Sequence, residues 1–408
     1  MYHRGVIEVG IVGAGPAGAW TARQLAARGV RVALFDGSHP REKPCGGGVT
    51  NRALRLIEAA LPAPVDGIPI DTARFMDADG GLDCVVPLSH RKSPLLVTTR
   101  RHFDQQLLEA AGAAGATFVP ARVTRIEALD RGFRLHTTSG VHQCRRLVGA
   151  DGANSLVRRS LATALARTDL SVATGFYVWG VTSRDILLEF VADPPGYLWS
   201  FPRPDHLAVG ICAQASTGVM VTVLRARLLQ WMHKTGIARG SALQPYSWPI
   251  PSLGEQALRG AKVAGSDWCL VGDAAGLVDP ITREGIFFAL QSAQCAADAL
   301  MSVPDAMSEH YSRQLQRDIL PELTRAAQIK ETFFRPQFVR LVLHALGTSV
   351  RVREVMADLI AGDQPYRGLE RRLLQTWEFR LAWRLLNARR RSSHHALAPG
   401  SADERHGP

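Results

Sequence analysis

The chain has no cysteine pair. Six cysteines, Cys45, Cys84, Cys144, Cys212, Cys269 and Cys295, are scattered through 408 residues without a CxxC spacing. A dithiol redox motif and a zinc ribbon are thereby excluded, and a chain of this length needs no disulfide framework. "SSHHAL" near the carboxyl end lacks metal-ligand spacing, so no metal is expected. Long hydrophobic runs are absent too. Nothing approaches the roughly 18 apolar residues that span a bilayer. Glu8 interrupts the first apolar segment, which has no cleavage site, so the expected location is the cytoplasm. Lysine is scarce, and arginine supplies nearly all of the positive charge behind a net +11. That balance suits anionic partners such as a diphosphate, a cofactor phosphate or an anionic membrane face. No nucleic-acid module accompanies it, so nucleic acid is not an expected partner. Internal repeats are missing.

What is present is a 46% hydrophobic chain long enough for two interleaved domains. The most specific segment is "VIEVGIVGAGPAGAWTARQLAARGVRVALFD". Val6 to Val12 reads as a buried strand, Gly13 to Gly18 as a glycine turn opening a helix, and Val30 to Phe35 as a second strand. Gly13 permits the tight turn, Gly15 lets backbone approach a pyrophosphate, and Gly18 lets helix and strand pack. The helix start offers free N–H groups and its positive dipole end to phosphates. Asp36, 18 residues past Gly18, stands where a carboxylate accepts hydrogen bonds from an adenosine ribose. Gly13, Gly15, Ala17, Gly18 and Asp36 are therefore candidate cofactor contacts. The turn alone does not separate NAD from FAD.

Two later segments separate them. "LVGADGANSLVRRSL", Leu147 to Leu161, and "WCLVGDAAGLVDPITREGIFFALQSA", Trp268 to Ala293, resemble the DG and GD motifs of the flavoprotein family that includes para-hydroxybenzoate hydroxylase. Taken singly, Asp151 is also a plain turn former and Asp273 a plain helix cap. The resemblance implies FAD, with Asp273 on a ribityl hydroxyl and the helix after Gly285 facing the flavin's pyrimidine ring or pyrophosphate. It adds Asp151, Gly152, Gly272, Pro280 and Ile286 to the cofactor set. "TRRHFDQQLLEAAGAAGATF" resembles a further family pattern, in which an arginine three residues before Phe103-Asp104 contacts the cofactor; Arg100 fits that spacing, with Arg101 the alternative.

"REKPCGGGVT", Arg41 to Thr50, and "PPGYLWSFPRPDHLAVGI" narrow the reading. In an extended strand Tyr197, Trp199 and Phe201 share one face. Such a wall suits a long apolar substrate, and it also fits ordinary sheet packing. The Cys45-Gly46-Gly47-Gly48 loop, the YxWxFP strand, "DPITREGI" and "DLIAGDQPYRGLERRLL" resemble the geranylgeranyl reductase family over nearly the whole chain. Where many relatives have glycine two residues before "GI", this chain has Arg283. The resemblance implies an α/β fold: a Rossmann-type FAD-binding domain, glutathione reductase/para-hydroxybenzoate hydroxylase-like, with an inserted antiparallel-sheet substrate domain and a C-terminal helical region. The expected segments are 1–68, 100–165 and 260–300 for FAD, 69–99 and 166–259 for the substrate sheet, 301–391 for the helices and 392–408 for a disordered tail.

The implied activity is FAD-dependent reduction of carbon–carbon double bonds in a prenyl chain. Cys45, Tyr197 and Trp199 are its candidate catalytic residues, and Tyr197, Trp199 and Phe201 its substrate wall. Cys45, Gly46 and Gly47 would border the flavin, with Lys43 placing a cation near the thiol. A buried cysteine in a tight turn is the plainer alternative. The implied electron donor is NADPH or a ferredoxin-like protein, and the implied substrate is a prenylated small molecule or lipid. A monooxygenase (hydroxylase, epoxidase or halogenase) and a flavin-binding electron-transfer partner are the competing classes. Halogenase relatives carry WxWxIP and an essential lysine, which YxWxFP and the scarcity of lysine argue against. Leu369, Leu373, Trp377, Leu381 and Leu385 recur every four residues beside a basic face. That pattern fits a helix packed on the domain, and also peripheral contact with the inner face of a membrane. A monomer is compatible with the sequence.

Overall fold

The computed structural model describes residues 7–77, 83–88, 95–238, 241–302 and 306–376. Three distant segments build the first sheet. Ile7–Val12 is its centre, paired in parallel with Val32–Phe35 on one side and Gly140–Gly149 on the other. Thr117–Val119 extends it beyond Val32–Phe35. The long strand Gly140–Gly149 divides its outer edge. Its first half pairs antiparallel with Phe133–Thr137, which pairs in turn with Val123–Ala128, and its last residues pair in parallel with Trp268–Leu270. Near-continuous burial of the central strands is what a parallel sheet covered on both faces requires. The register sets Phe35, Val12, Gly149 and Leu270 in one row. The chain therefore leaves the sheet at the same level four times, just before Asp36, Gly13, Ala150 and Val271. Ligands of open α/β sheets bind in the crevice at such carboxyl ends.

A second seven-stranded sheet has the order Leu243–Pro251, Leu170–Trp179, His206–Gln214, Gly196–Pro202, Asp185–Val191, Thr72–Asp77, Asp83–Pro87. Its pairs are antiparallel except one: Asp185–Val191 runs parallel to Thr72–Asp77, so the expected antiparallel sheet is in fact mixed. On its back, Leu224, Leu228, Trp231 and Met232 of helix Val221–Thr235 pack against Val178, Val209 and Ile211. On its front, Ala173, Gly175, Ala208 and Gly210 keep the neighbouring strands Leu170–Trp179 and His206–Gln214 low. Added Cβ atoms would meet the Tyr246 ring at 2.6 Å from Gly175 and the Trp199 ring at 2.2 Å from Gly210. The absent side chains make the room in which those rings lie.

A small sheet of Gly48–Val49, Leu96–Val97 and Ile68–Pro69 ties the two large ones together. Helices Met307–Asp318, Leu320–Phe333, Pro336–Thr348, Val350–Ala361 and Leu369–Leu374 follow. Val339, Leu343 and Leu346 of the third bury against Phe75, Cys84 and Val86 of the second sheet. Among the described residues no helix is long and apolar enough to cross a membrane. The leucine stripe is described only through Leu374, so its continuation at Trp377, Leu381 and Leu385, and the tail, lie outside the described residues.

Candidate active site

The glycine turn is close-packed on one side and open on the other. Gly13 holds φ 102°, and a Cβ there would lie 2.3 Å from the Ala150 carbonyl oxygen; one at Gly18 would lie 1.8 Å from that of Gly13. At Gly15 the nearest atom would be His39 Nε2 at 3.6 Å. Helix Pro16–Ala26 begins there with no capping side chain, so its start is free to meet an anion. Asp36 ends the next strand. Its carboxylate accepts from Ala14 N–H at 3.0 Å, from Ser38 N and Oγ at 2.8 Å each, and faces His39 Nδ1 at 2.8 Å. Burial disfavours that charge, but His39 and the backbone donors outweigh it and hold Asp36 well below the usual carboxylate range. His39 Nε2 reaches Asp104 at 3.2 Å, and Asp104 takes both prongs of Arg100 at 2.9 Å. Arg100 is thus buried in an ion pair, at the edge of the cavity described below.

The two remaining carboxylates do different work. Asp151 turns back on its own chain, accepting from Ser155 Oγ, Leu156 N at 2.6 Å and Val157 N at 3.2 Å, so it satisfies the first N–H groups of helix Leu156–Leu161, whose N-cap is Ser155. Gly152 beside it has φ 79°. Asp273 instead faces the crevice and pairs with Lys43 Nζ at 3.0 Å. Lys43 therefore answers a carboxylate 230 residues away. Gly272 donates to Ser292 Oγ at 2.9 Å and abuts Ala17, where a Cβ would approach at 3.0 Å. Pro280 lies in the following loop. Gly285 opens helix Ile286–Met301, again without a side-chain cap, and a Cβ on it would sit 3.3 Å from Asp273 Oδ1.

Of the six cysteines five are buried, and Cys45 alone is partly exposed. Burial pushes Cys144, Cys269 and Cys295 up to about 12, which leaves them inert thiols. Cys45 Sγ accepts from Gly47 N–H at 3.3 Å, and the residue packs against a buried cluster to which Trp20 and Ile286 belong. The loop is held from below. The fully buried Arg203 donates to the Cys45 carbonyl and to Glu42, and Glu42 accepts from Arg100 and Arg101 N–H at 3.1 Å. Gly46 lies under Phe201, with 3.2 Å from an added Cβ to the ring, and Gly47 holds φ 79°.

One cavity of about 430 Å³ brings these parts together. Pro16, Lys43, Asp273, Gly285 and Ile286 border it on the crevice side, and Cys45, Tyr197, Trp199 and Phe201 line its middle. Tyr197 stacks obliquely on Trp199 at 5.7 Å and donates its hydroxyl proton to the Thr282 carbonyl at 2.9 Å, fastening the roof to the 279–285 loop. Buried Asp279 pins that loop by accepting from Ile281 and Thr282 N–H at 2.7 and 3.0 Å. The far wall is unanticipated: Phe333, Phe338, Val342, Met356 and Leu359 of the C-terminal helices complete the lining. Their apolar periodicity identifies amphipathic helices without saying that the apolar face lines a cavity. Trp248, which also lines the cavity, His39 and Arg203 carry no motif and are placed only by sheet register and long-range pairing.

The crevice fits a dinucleotide: backbone is exposed at Gly15, two helix starts are uncapped, and Asp273 is available opposite them. Comparison with known proteins agrees. The model of the FAD binding domain family matches residues 6–235. Geranylgeranyl diphosphate reductase of Rhodobacter capsulatus is 30% identical over 310 residues, 72% of this chain and 74% of that protein. Menaquinone reductase of Mycobacterium tuberculosis is 30% identical over 391 residues, 87% of this chain and 92% of that one. A geranylgeranyl bacteriochlorophyll reductase-like protein of Thermoplasma acidophilum has the same fold, with a TM-score of 0.73 and 21% identity over 90% of this chain and 98% of its own. The chain is a member of the FAD-dependent oxidoreductase family that includes geranylgeranyl diphosphate reductase and menaquinone reductase.

Proposed function

We propose that the protein reduces isolated carbon–carbon double bonds of a prenyl chain. The observation that carries this is a cavity in which a partly exposed thiol and three aromatic rings meet an apolar passage opening on the dinucleotide crevice. Bound FAD, once reduced, supplies hydride to one alkene carbon. The chain's residues do the rest. Gly13, Gly15, Ala17 and Gly18 and the start of helix Pro16–Ala26 hold the pyrophosphate, and Asp36 the adenosine ribose. Asp273 exchanges part of its pairing with Lys43 for a ribityl hydroxyl. Arg100, Asp151, Gly152, Gly272, Pro280, Gly285 and Ile286 shape the remaining edges. Tyr197, Trp199 and Phe201 press the chain into place, and Cys45 gives or steers the proton to the second alkene carbon. Gly46 and Gly47 let its loop come close.

An unactivated alkene offers no carbonyl to polarise, so the rate rests on positioning and on excluding water. An apolar lining does both. NADPH or a ferredoxin-like protein supplies the electrons, and the one that reduces the bound FAD identifies itself by bleaching it. Peripheral contact with a membrane would deliver a lipid substrate; retention on liposomes tests it. Mass spectrometry of the products tests the reaction. Each saturated bond should add two hydrogens with no oxygen incorporated. A product carrying an added oxygen atom would refute the reading in favour of a monooxygenase.

A further inference from the structure

Among the described residues, two cations beside the cavity, Arg283 and Lys330, have no ion-pair partner in contact. Arg283 has φ 61°, in the left-handed region that strains every residue with a Cβ. Glycine would occupy that place freely, so the arginine side chain is kept against a backbone penalty. Its Nη1 reaches Ser252 Oγ and the Pro280 carbonyl, while its Nε is buried without a partner. Lys330, from helix Leu320–Phe333, converges on the same hydroxyl. Its Nζ lies 2.8 Å from Ser252 Oγ, 3.1 Å from Ser252 O and 2.7 Å from Gln214 Oε1. Every one of these acceptors is neutral.

Neighbouring charges are treated differently. Glu284 is neutralised by Arg52, Glu370 by Arg325 and Asp273 by Lys43. Among the described residues Arg283 and Lys330 form no ion pair, and Glu331 and Asp169 act on Lys330 only through space. Burial, reinforced by the Arg283 charge, pushes Lys330 down to about 7. Two half-buried like charges on one oxygen repel, and an anion between them would relieve both. Arg283 itself lines the cavity, as do Ile329, Thr332 and Phe333 around Lys330.

We propose that Arg283 and Lys330 form a phosphate-binding site at the head of the cavity, so that the substrate carries a phosphate or diphosphate rather than a neutral head. The inference rests on the prenyl-reductase reading above. A guanidinium fork and a compact ammonium are the pair of donors that phosphate oxygens accept best.

The test uses FAD-loaded protein and the fluorescence of the cavity tryptophans. Inorganic pyrophosphate, geranylgeranyl diphosphate, a geranylgeranylated phospholipid in micelles and geranylgeraniol are titrated in turn. The diphosphate should bind roughly tenfold or more tightly than the alcohol, as charge-assisted hydrogen bonds to a desolvated anion warrant. Arg283→Gly, which relieves the backbone, and Lys330→Gln, which keeps the stem, should each bring the diphosphate down to the alcohol's affinity. FAD content serves as the folding control. A preference shared with the phospholipid assigns the site to a lipid headgroup, and one confined to the diphosphates assigns it to a free prenyl diphosphate. Equal binding of alcohol and diphosphate, or an unchanged ratio in both variants, would overturn the inference. Pyrophosphate binding that both variants abolish, with no binding of any prenyl compound, would instead uphold the anion site and remove the prenyl reading.

Discussion

The crevice and the cavity meet at Asp273 and Cys45, yet they are built on opposite plans. The crevice is made of backbone. Its decisive residues are glycines whose missing Cβ atoms let chain approach chain, and its carboxylates Asp36 and Asp151 are aimed by hydrogen bonds from backbone N–H groups. The cavity is made of side chains. Rings and branched aliphatics from four strands and five helices form its walls. A site that must hold one invariant cofactor tolerates little change. A site that must grip a long, featureless chain needs area and dryness, which many side-chain sets supply.

That contrast orders the expected effects of substitution. Gly18→Ala should do most damage, because its Cβ would fall 1.8 Å from the Gly13 carbonyl oxygen and backbone cannot yield. A loss of about 3 kcal/mol is expected, with thermal unfolding at lower temperature and protein purified without flavin colour. Cys45→Ala should strike the cavity alone. FAD stays bound while kcat falls about 10²-fold, the usual contribution of a placed proton donor; unchanged kinetics would take the thiol out of the mechanism. Asp273→Ala sits at the junction, and losing its charge-assisted hydrogen bond should weaken FAD by about 2 kcal/mol, roughly 30-fold in Kd. Full occupancy after dialysis would show that the GD loop does not bind the flavin.

The smallest effect concerns pH. Burial disfavours a charge on His39, but Asp104 and Asp36 outweigh it and raise its pKa. The stabilisation is therefore complete below the ordinary histidine value of about 6.5 and is lost as pH rises through the raised native value. Asp36 works in the other direction: its share is present above the ordinary carboxylate range and is lost only as pH falls through its depressed native value. FAD retention should thus decline on the alkaline side in the parent protein, and His39→Gln should flatten that decline.

The same contrast decided what the sequence could reveal. Each piece of the crevice is a contiguous motif, so Gly13, Asp36, Asp151 and Asp273 are legible one by one. Their convergence in a single row follows from strand register. Illegible were the long-range pairings. Lys43, two residues from the thiol, pairs with Asp273 far along the chain, as opposite charges in a partly dry crevice attract. The aromatic wall shows in the alternation of Tyr197, Trp199 and Phe201, but the small residues opposite them matter only once register sets Gly210 under Trp199. Phe333, Phe338 and Met356 lie in a region legible only as helical, because an apolar stripe looks alike against a core and against a cavity. Arg283 stood out as a departure from glycine, and its left-handed backbone gives the reason that glycine is common there.

The central claim is that reduced flavin in this crevice is discharged by an alkene in this cavity. Rapid mixing of the reduced protein with a prenyl substrate under strict anaerobiosis tests it most directly. The account predicts that the oxidised flavin spectrum returns without oxygen, in proportion to the double bonds saturated, and more slowly in Cys45→Ala. Flavin that stays reduced beside every prenyl compound, and reoxidises only when oxygen is admitted, would contradict it.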